Sequence, residues 1–256
     1  MSVPRCLTIA GSDSGGGAGI QADLKAFAAA GCHGTSAIVA LTAQNTTGVS
    51  AVHELPPAFV LAQLEAVFSD IGVDAAKTGM LFSAPIVATV AEYLAAHPVP
   101  LVVDPVMVAS SGARLLREDA VDTLVTRLFP LAAVITPNLM EAEALVGSGP
   151  RDELARRLHE LGPAAVIVTG GHGDEAEDTL FDGDRITHIP VPRHESGATH
   201  GAGCTHSATL AACLARGMPL EAAARCAAEV ASNAVRDGLA DIGAGDGPVR
   251  VSAGTQ

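Results

Sequence analysis

Glycines flank a cysteine in the segment Gly201-Ala202-Gly203-Cys204-Thr205, which follows a polar loop and enters a long helical pattern. Glycine lets backbone N–H groups converge on one point, and a helix N-terminus adds positive partial charge. The segment therefore predicts an anion hole, formed by Gly201, Ala202, Gly203 and Cys204, that could hold a transferring phosphoryl group. The alternative is an ordinary glycine-rich start of a helix.

Cys204 falls in the first turn of that helix. A thiol at a helix N-terminus has its pKa lowered, so Cys204 could act as a base or a nucleophile. The alternative is a small buried hydrophobic residue, which is the more common fate of a single cysteine. The spacing alone leaves both interpretations open.

Two acidic residues follow strand-like runs: Asp104 in Asp104-Pro105, and Glu141 three residues after Asn138. Carboxylates there suit Mg²⁺, which proteins usually hold through one or two carboxylates, waters and substrate phosphates. For Glu141 the alternative is an acid at a helix N-terminus, where the helix dipole favours negative charge.

Two other patterns carry less information. The run Gly15–Gly19 precedes the first helix but fits neither Gly-x-Gly-x-x-Gly nor the Walker A spacing, so it indicates only a close approach to the backbone. Four histidines fall six residues apart, which is neither a helical nor a strand period, and neither His-Glu-x-x-His nor Cys-x-x-Cys occurs. We therefore predict no zinc site at His188, His194, His200 and His206.

Strand-like runs alternate with helical patterns along the chain, which predicts an α/β fold with a mostly parallel sheet covered on both faces. The predicted strands are 6–10, 35–41, 74–78, 101–103, 132–136 and 164–169, followed by a hairpin of 178–181 and 185–191. The predicted helices are 20–31, 59–68, 84–96, 117–129, 154–161, 204–215 and 220–235.

Polar and small residues follow the predicted strands. Because ligands bind beyond the carboxyl ends of strands in such sheets, we expect a small-molecule site at that edge. Residues 1–256 show no linker or composition break, so we predict a single domain. The glycine-rich tail from about Gly238 is expected to be frayed.

The charge balance excludes several classes of partner. The 256 residues include 15 Lys and Arg against 28 Asp and Glu, a formal charge of −13, which repels nucleic acid and anionic lipid. No apolar run approaches the ~18 residues of a membrane span. Five scattered cysteines suit free thiols in the cytoplasm better than a disulfide framework.

Taken together, six segments resemble the bacterial hydroxymethylpyrimidine/phosphomethylpyrimidine kinases, thiamin-biosynthesis enzymes of the ribokinase superfamily. These segments are 11–25 (GSDSGGGAGIQADLK), 41–46 (LTAQNT), 77–80 (KTGM), 104–108 (DPVMV), 136–142 (TPNLMEA) and 200–205 (HGAGCT). The resemblance implies a three-layer α/β/α ribokinase-like fold, a homodimer, and the use of ATP and Mg²⁺. It also implies phosphorylation of 4-amino-5-hydroxymethyl-2-methylpyrimidine and then of its monophosphate.

The resemblance also implies roles for individual residues. Gln44 would hydrogen-bond the aminopyrimidine edge, because a carboxamide offers both a donor and an acceptor. Cys204 would be the catalytic base. The rest of the pyrimidine pocket would be Gly11, Asp23, Met80 and Val106; the ATP site would include Asn138, Thr169, Gly171 and Lys77; and Asp104 and Glu141 would hold the metal.

Four positions depart from the family pattern. Ser110 and Thr169 stand where lysine is frequent, Gly15 replaces a usual serine, and His206 replaces a usual aliphatic residue. A cation expected near the phosphates is therefore missing. We hypothesise that Lys77 or Arg114 replaces it; the alternative is that Lys77 is a structural partner of an acid and Arg114 a solvated loop residue.

Two other functions remain open at this point. Pyridoxal kinase is a close relative in fold and in the size of the substrate ring, although Gln44 and Cys204 favour the pyrimidine. The missing lysines also fit a non-catalytic pyrimidine-binding protein.

Overall fold

The computed structural model describes residues 2–108, 112, 115–170 and 177–252. In this part of the chain, nine strands form one sheet. They are β1 (Arg5–Asp13), β2 (His33–Asn45), β3 (Gly48–Glu54), β4 (Ala75–Thr78), β5 (Leu101–Val103), β6 (Val134–Ile135), β7 (Val166–Val168), β8 (Glu177–Phe181) and β9 (Ile186–Pro190).

The strand order is β3-β2-β1-β4-β5-β6-β7-β8-β9. Strands β2, β1, β4, β5, β6 and β7 are parallel, and the antiparallel pairs are β2–β3, β7–β8 and β8–β9. The carboxyl ends of the six parallel strands therefore meet at one edge of the sheet, as the sequence predicts.

Eight α-helices lie in the described ranges. They are α1 (Gly19–Ala29), α2 (Pro57–Ala66), α3 (Ala84–Ala96), α4 (Glu118–Thr123), α5 (Leu139–Val146), α6 (Arg151–His159), α7 (Ala202–Ala215) and α8 (Leu220–Arg236). Wider and tighter helical turns extend α2 through Ile71 and α4 through Leu131. None of the described helices is both long and apolar enough to cross a bilayer.

The core forms two hydrophobic layers, one on each face of the sheet. Leu7 and Val103 pack with the helices α2 to α6, whereas their neighbours Cys6 and Val102 pack with α1, α7 and α8. Successive residues of a strand point to opposite faces, so strands buried on both sides, such as β5 and β7, can be apolar on both faces. The predicted three-layer α/β/α fold is confirmed.

Two elements were missing from the sequence-based prediction. Strand β3 is an antiparallel edge strand in which no residue is fully buried, so it lacks an apolar run. Helix α5 has eight residues and starts at a capping box, in which Asn138 and Glu141 bond each other's backbone N–H groups. This box was a readable signal, because an N-cap residue followed three positions later by Glu is typical of a helix start.

The segment after Gly238 packs against the rest of the chain. Gly247 N–H donates to the carbonyl of Gly197 at 2.8 Å, and Val249 N–H donates to the carbonyl of His200 at 3.0 Å. The Val249 side chain is buried. The expectation of a frayed tail is therefore wrong for residues 238–250, because their backbone groups and an apolar side chain are bound to the body of the protein.

Candidate active site

The predicted anion hole lies at the start of α7. Gly201 has a φ of +89°, and a Cβ there would overlap the carbonyl oxygen of Gly17. Both the conformation and the contact require glycine at position 201. At Gly203, by contrast, nothing lies within 4 Å of a Cβ position, so the space beside the helix start is open. The N–H groups of a first helical turn have no partner inside the helix, and this arrangement suits an anion.

Asp13, at the end of β1, organises the glycine-rich loop beside the anion hole. Its carboxylate accepts hydrogen bonds from the backbone N–H groups of Gly15 (2.7 Å), Gly17 (3.0 Å) and Ala18 (2.9 Å). Burial alone would raise the pKa of Asp13, but hydrogen bonds from His200 and from these backbone groups hold it below its usual value. Asp13 therefore fixes the loop as a charged group.

His200 joins this loop to the predicted pyrimidine pocket. Its Nε2 lies 2.9 Å from Asp13 Oδ2 and 3.4 Å from Gln44 Nε2, and the side chain is buried. The other end of the Gln44 carboxamide faces Thr42. Thr42 Oγ1 lies 3.1 Å from the side-chain oxygen of Gln44 and 3.0 Å from the carbonyl oxygen of Ser12, and its hydroxyl proton can donate to either acceptor. The neighbours of Gln44 thus set the orientation of its amide.

The other residues assigned to the pyrimidine pocket are only partly brought together. A Cβ on Gly11 would overlap Met80 Cε, and a Cβ on Gly19 would overlap the carbonyl oxygen of Gly11, so Gly11 packs between Met80 and the glycine-rich loop. Val106 is half-buried, and its N–H donates to the carbonyl of Asp104 at 2.8 Å.

A buried charged network lies beneath this site. Lys77 Nζ lies 2.9 and 3.0 Å from the two carboxylate oxygens of Asp23 and 3.9 Å from Asp104 Oδ2. Thr8 Oγ1 donates to Asp23 at 2.5 Å, and Ser207 Oγ, on α7, donates to Asp104 at 2.8 Å. Burial would lower the pKa of Lys77, but the Asp23 charge keeps it above its usual value. The network therefore ties α1, β1, β4 and α7 together.

Two predicted roles need correction. The side chains of Lys77 and Asp23 are both fully buried and bind each other, so Lys77 is not placed to reach a phosphate and Asp23 is not placed to line a pocket. The alternative interpretation of Lys77, a structural partner of an acid, describes the structure. The other candidate cation, Arg114, and Ser110 lie outside the described residues.

Cys204 lies in the first turn of α7, as predicted, but its chemistry differs from the prediction. Burial raises the pKa of its thiol to about 12, and the nearby charge of Lys77, which lowers the pKa, does not offset this. The carboxylates of Asp23 and Asp104 raise the pKa further. The net pKa of the Cys204 thiol is therefore raised, whereas its position at a helix start predicted a lowered value.

The two proposed metal ligands, Asp104 and Glu141, lie close enough to influence each other. Burial and then the charge of Asp104 raise the pKa of Glu141 to about 8. Glu141 also accepts hydrogen bonds from the N–H groups of Asn138 (3.0 Å) and Met107 (3.4 Å), so the alternative interpretation of Glu141 as a helix-start residue describes the structure.

Asp104 and Glu141 form the candidate donor set for a metal ion. Among the described residues, no group of three or more His, Cys, Asp or Glu side chains could hold a metal. A close pair of carboxylates in a desolvated place nevertheless fits Mg²⁺, which keeps several waters and takes phosphate oxygens as its remaining ligands.

The residues assigned to ATP lie at the ends of β6 and β7. Asn138 and Thr169 pair in an isolated parallel bridge, and Thr169 N–H donates to the carbonyl of Pro137 at 2.9 Å. The Asn138 side chain accepts the N–H of Glu141 at 2.9 Å. Gly171 lies outside the described residues. Asn138 and Thr169 thus share the sheet edge on which the anion hole opens.

Sequence reasoning missed Asp13 and His200 as site residues. Asp13 offered a signal, because an acid directly before a glycine-rich loop can accept several converging N–H groups. His200 offered none, since its partner Asp13 is 187 positions away in the chain.

The chain is similar to known proteins along most of its length. The family model described as phosphomethylpyrimidine kinase matches residues 13–250. A hydroxymethylpyrimidine/phosphomethylpyrimidine kinase of Rhizobium meliloti is 50% identical over 253 residues, which is 95% of each chain. A thiamine biosynthesis bifunctional protein of Geobacter sulfurreducens is 51% identical over 95% of this chain, and the chain spans about half (51%) of that protein's length.

Solved structures show the same relationship. An ADP complex of Bacillus subtilis pyridoxal kinase superposes with a TM-score of 0.90 at 36% identity, covering 98% of both chains. The phosphomethylpyrimidine kinase of Clostridium difficile gives a TM-score of 0.78 at 41% identity, covering 88% of this chain and 96% of that one.

Proposed function

The chain belongs to the phosphomethylpyrimidine kinase family, and we propose from this premise that it phosphorylates 4-amino-5-hydroxymethyl-2-methylpyrimidine and then its monophosphate. It is a phosphotransferase that uses ATP and acts in thiamin biosynthesis. The observation that carries the choice of substrate is the position of Gln44, held by His200 and Thr42 directly beside the anion hole.

Gln44 recognises the amino-substituted edge of the ring. Its carboxamide offers one face to a ring nitrogen and an amino group, while His200 and Thr42 fix its orientation. Gly11 and Met80 supply an apolar contact. Since the chain has no Trp and one Tyr, polar contacts at the ring edge carry more of the selectivity than stacking does.

The start of α7 binds the transferring phosphoryl group. Phosphoryl transfer needs positioning and donors aimed at developing charge more than covalent help. Gly201 to Cys204 supply backbone donors, and Cys204 takes the proton of the attacking hydroxyl as a general base. Mg²⁺, held by Asp104 and Glu141, would neutralise part of the phosphate charge when bound. Asn138, Thr169 and Gly171 bind the nucleotide.

The raised pKa of Cys204 shapes this role. A thiol with a pKa of about 12 is protonated at neutral pH. Below pH 12, its thiolate fraction therefore rises about tenfold for each unit by which the pH is increased. We therefore expect kcat to increase between pH 7 and 9.

The test is product formation from ATP, Mg²⁺ and the hydroxymethylpyrimidine, followed by mass spectrometry. Cys204→Ala should lower kcat by ~10²–10⁴-fold, with a much smaller rise in KM. Cys226→Ala, which changes another partly exposed cysteine on α8, serves as the matched control. A kcat for Cys204→Ala within about twofold of the wild type would reduce Cys204 to a packing residue.

Pyridoxal kinase activity is the second candidate, because a pyridoxal kinase shares the fold over nearly the whole chain. We expect kcat/KM to be higher for the pyrimidine than for pyridoxal. A clear preference for pyridoxal would overturn the choice of substrate while leaving the kinase assignment in place.

Assembly and location complete the proposal. We infer a homodimer, which sedimentation equilibrium would detect as about twice the chain mass of 25.7 kDa. We also infer a cytoplasmic location, supported by the five cysteines, all of which are unpaired.

A further inference from the structure

We propose that His206 is a positioning residue for the nucleotide, acting through Asp178 on the backbone of Gly170. His206 Nε2 lies 3.0 Å from Asp178 Oδ2, and Asp178 Oδ1 accepts the N–H of Gly170 at 2.8 Å. The proposal rests on the proposed function, since it concerns the ATP end of the same site.

The His206–Asp178 pair is buried, so its polar atoms depend on hydrogen-bond partners within the protein. Asp178 is 3% exposed and His206 is 5% exposed. A carboxylate removed from water needs donors for its oxygens. His206 faces Oδ2 of Asp178, and the Gly170 N–H donates to Oδ1. Nε2 is the ring nitrogen that faces Asp178, whereas Nδ1 has no hydrogen-bond partner in the described part of the chain, so the His206 ring is held through Asp178.

Gly170 has little freedom to move independently of Asp178. It follows Thr169, which bridges to Asn138 at the sheet edge, and a Cβ on Gly170 would overlap the carbonyl of Glu177. Its N–H is held by the residue after Glu177. A displacement of the Asp178 carboxylate would therefore move the strand end that carries the residues assigned to ATP.

The pair also connects two parts of the site. His206 lies on α7, five residues after the anion-hole glycine Gly201, whereas Asp178 lies on β8. An aliphatic side chain at position 206 would remove the histidine from Asp178 Oδ2. Of the two donors described here, Asp178 would then keep the Gly170 N–H. In this chain, the helix that begins at the anion hole thus also holds the nucleotide end of the sheet.

The experiment compares His206→Leu, His206→Gln and Asp178→Asn with wild-type protein. We expect His206→Leu to raise the KM for MgATP and the Kd for ADP, measured by calorimetry, roughly tenfold, the scale of a lost charge-assisted hydrogen bond. The KM for the pyrimidine should change by less than about twofold. His206→Gln places an N–H donor near the former Nε2 and should restore most of the ADP affinity.

A double variant and a control make the test decisive. The double variant His206→Leu, Asp178→Asn should bind ADP as well as the more impaired of the two single variants, because both changes break the same pair. His194→Leu removes a histidine bonded to Ser232 and should leave ADP affinity unchanged. Unchanged ADP affinity in folded His206→Leu, or an equal rise in both KM values, would overturn the proposal. ADP affinity is measured without turnover, so a failure of the pyrimidine assignment would be seen separately.

Discussion

An aspartate paired with a histidine lies on each side of the start of α7, and the two aspartates accept different numbers of hydrogen bonds. On the pyrimidine side, Asp13 accepts three backbone N–H groups and the imidazole of His200. On the nucleotide side, Asp178 accepts one backbone N–H and the imidazole of His206. A buried acid paired with histidine thus organises a glycine-containing segment on each side, and the larger number of bonds makes the pyrimidine side the more strongly preorganised.

In the function that we propose, this difference separates recognition of the ring from phosphoryl transfer. The pyrimidine side has a fixed amide, Gln44, whose orientation two neighbours define. The nucleotide side places Asn138 and Thr169 by backbone pairing. Selectivity for a ring edge needs side-chain geometry, whereas binding of phosphates depends on backbone donors and charge. Changes on one side should therefore leave binding on the other side largely intact.

The largest effect should come from Lys77→Met, which should impair the pyrimidine side and the nucleotide side together. It leaves the buried carboxylate of Asp23 without its cation, and removing one partner of a buried pair costs about 3–5 kcal/mol of unfolding free energy. Urea unfolding measures the loss, and both KM values should rise.

The chain offers a matched control for this change in its other lysine. Lys25 is exposed and donates to the carbonyl of Gly16 at 2.6 Å, so Lys25→Met should cost less than about 0.5 kcal/mol. Equal losses for Lys77→Met and Lys25→Met would show that the buried network contributes nothing to stability.

The next largest effect is expected for Gly201→Ala. A side chain at φ +89° that also overlaps Gly17 should cost about 3 kcal/mol of unfolding free energy. Displacing the donors of an anion hole should lower kcat by ~10²–10³-fold. Thermal unfolding and single-turnover kinetics measure the two effects.

Gly203→Ala is the control, because a Cβ there meets nothing within 4 Å. We expect its stability to match that of the wild type within about 1 kcal/mol. If Gly201→Ala were as stable as Gly203→Ala, the contact between the two glycine-rich segments would not constrain the site.

A smaller effect, confined to the pyrimidine side, should follow Gln44→Ala. Leaving the polar edge of the ligand unpaired costs about 1–3 kcal/mol of binding free energy. Calorimetry should show weaker binding of the pyrimidine with unchanged binding of ADP. Unaltered pyrimidine binding would remove Gln44 from the recognition role.

The smallest effect is expected for Asp246→Ala. Asp246 accepts the N–H of Thr199 at 2.7 Å and its hydroxyl at 2.8 Å, next to His200, so its loss should raise only the pyrimidine KM, by about twofold to threefold. Asp182→Ala also removes an exposed acceptor of two N–H groups, but in the β8–β9 turn, and should change neither KM. A rise in the MgATP KM with Asp246→Ala would contradict the expectation that a change on the pyrimidine side leaves nucleotide binding intact.

Much of the site's location could be predicted from the sequence, because the carboxyl ends of parallel strands share one edge. Gly201, Asn138 and Thr169 reach that edge as expected. The position of Lys77 could not be predicted from local pattern: β4 is buried along its whole length, and a polar residue there is explained only by Asp23, 54 positions away. The pKa of Cys204 was missed for a similar reason, because burial and the distant carboxylates of Asp23 and Asp104 raise it more than the charge of Lys77 and the local helix start lower it.

The return of the segment after Gly238 to His200 has a consequence for the order in which the protein matures during synthesis. The pair of Asp178 with His206 uses residues that leave the ribosome before the segment that binds His200. The contacts of His200 with Gly247 and Val249 must wait for those later residues. Since folding proceeds as the chain grows, the nucleotide side can take its final form first, and the pyrimidine pocket closes afterwards.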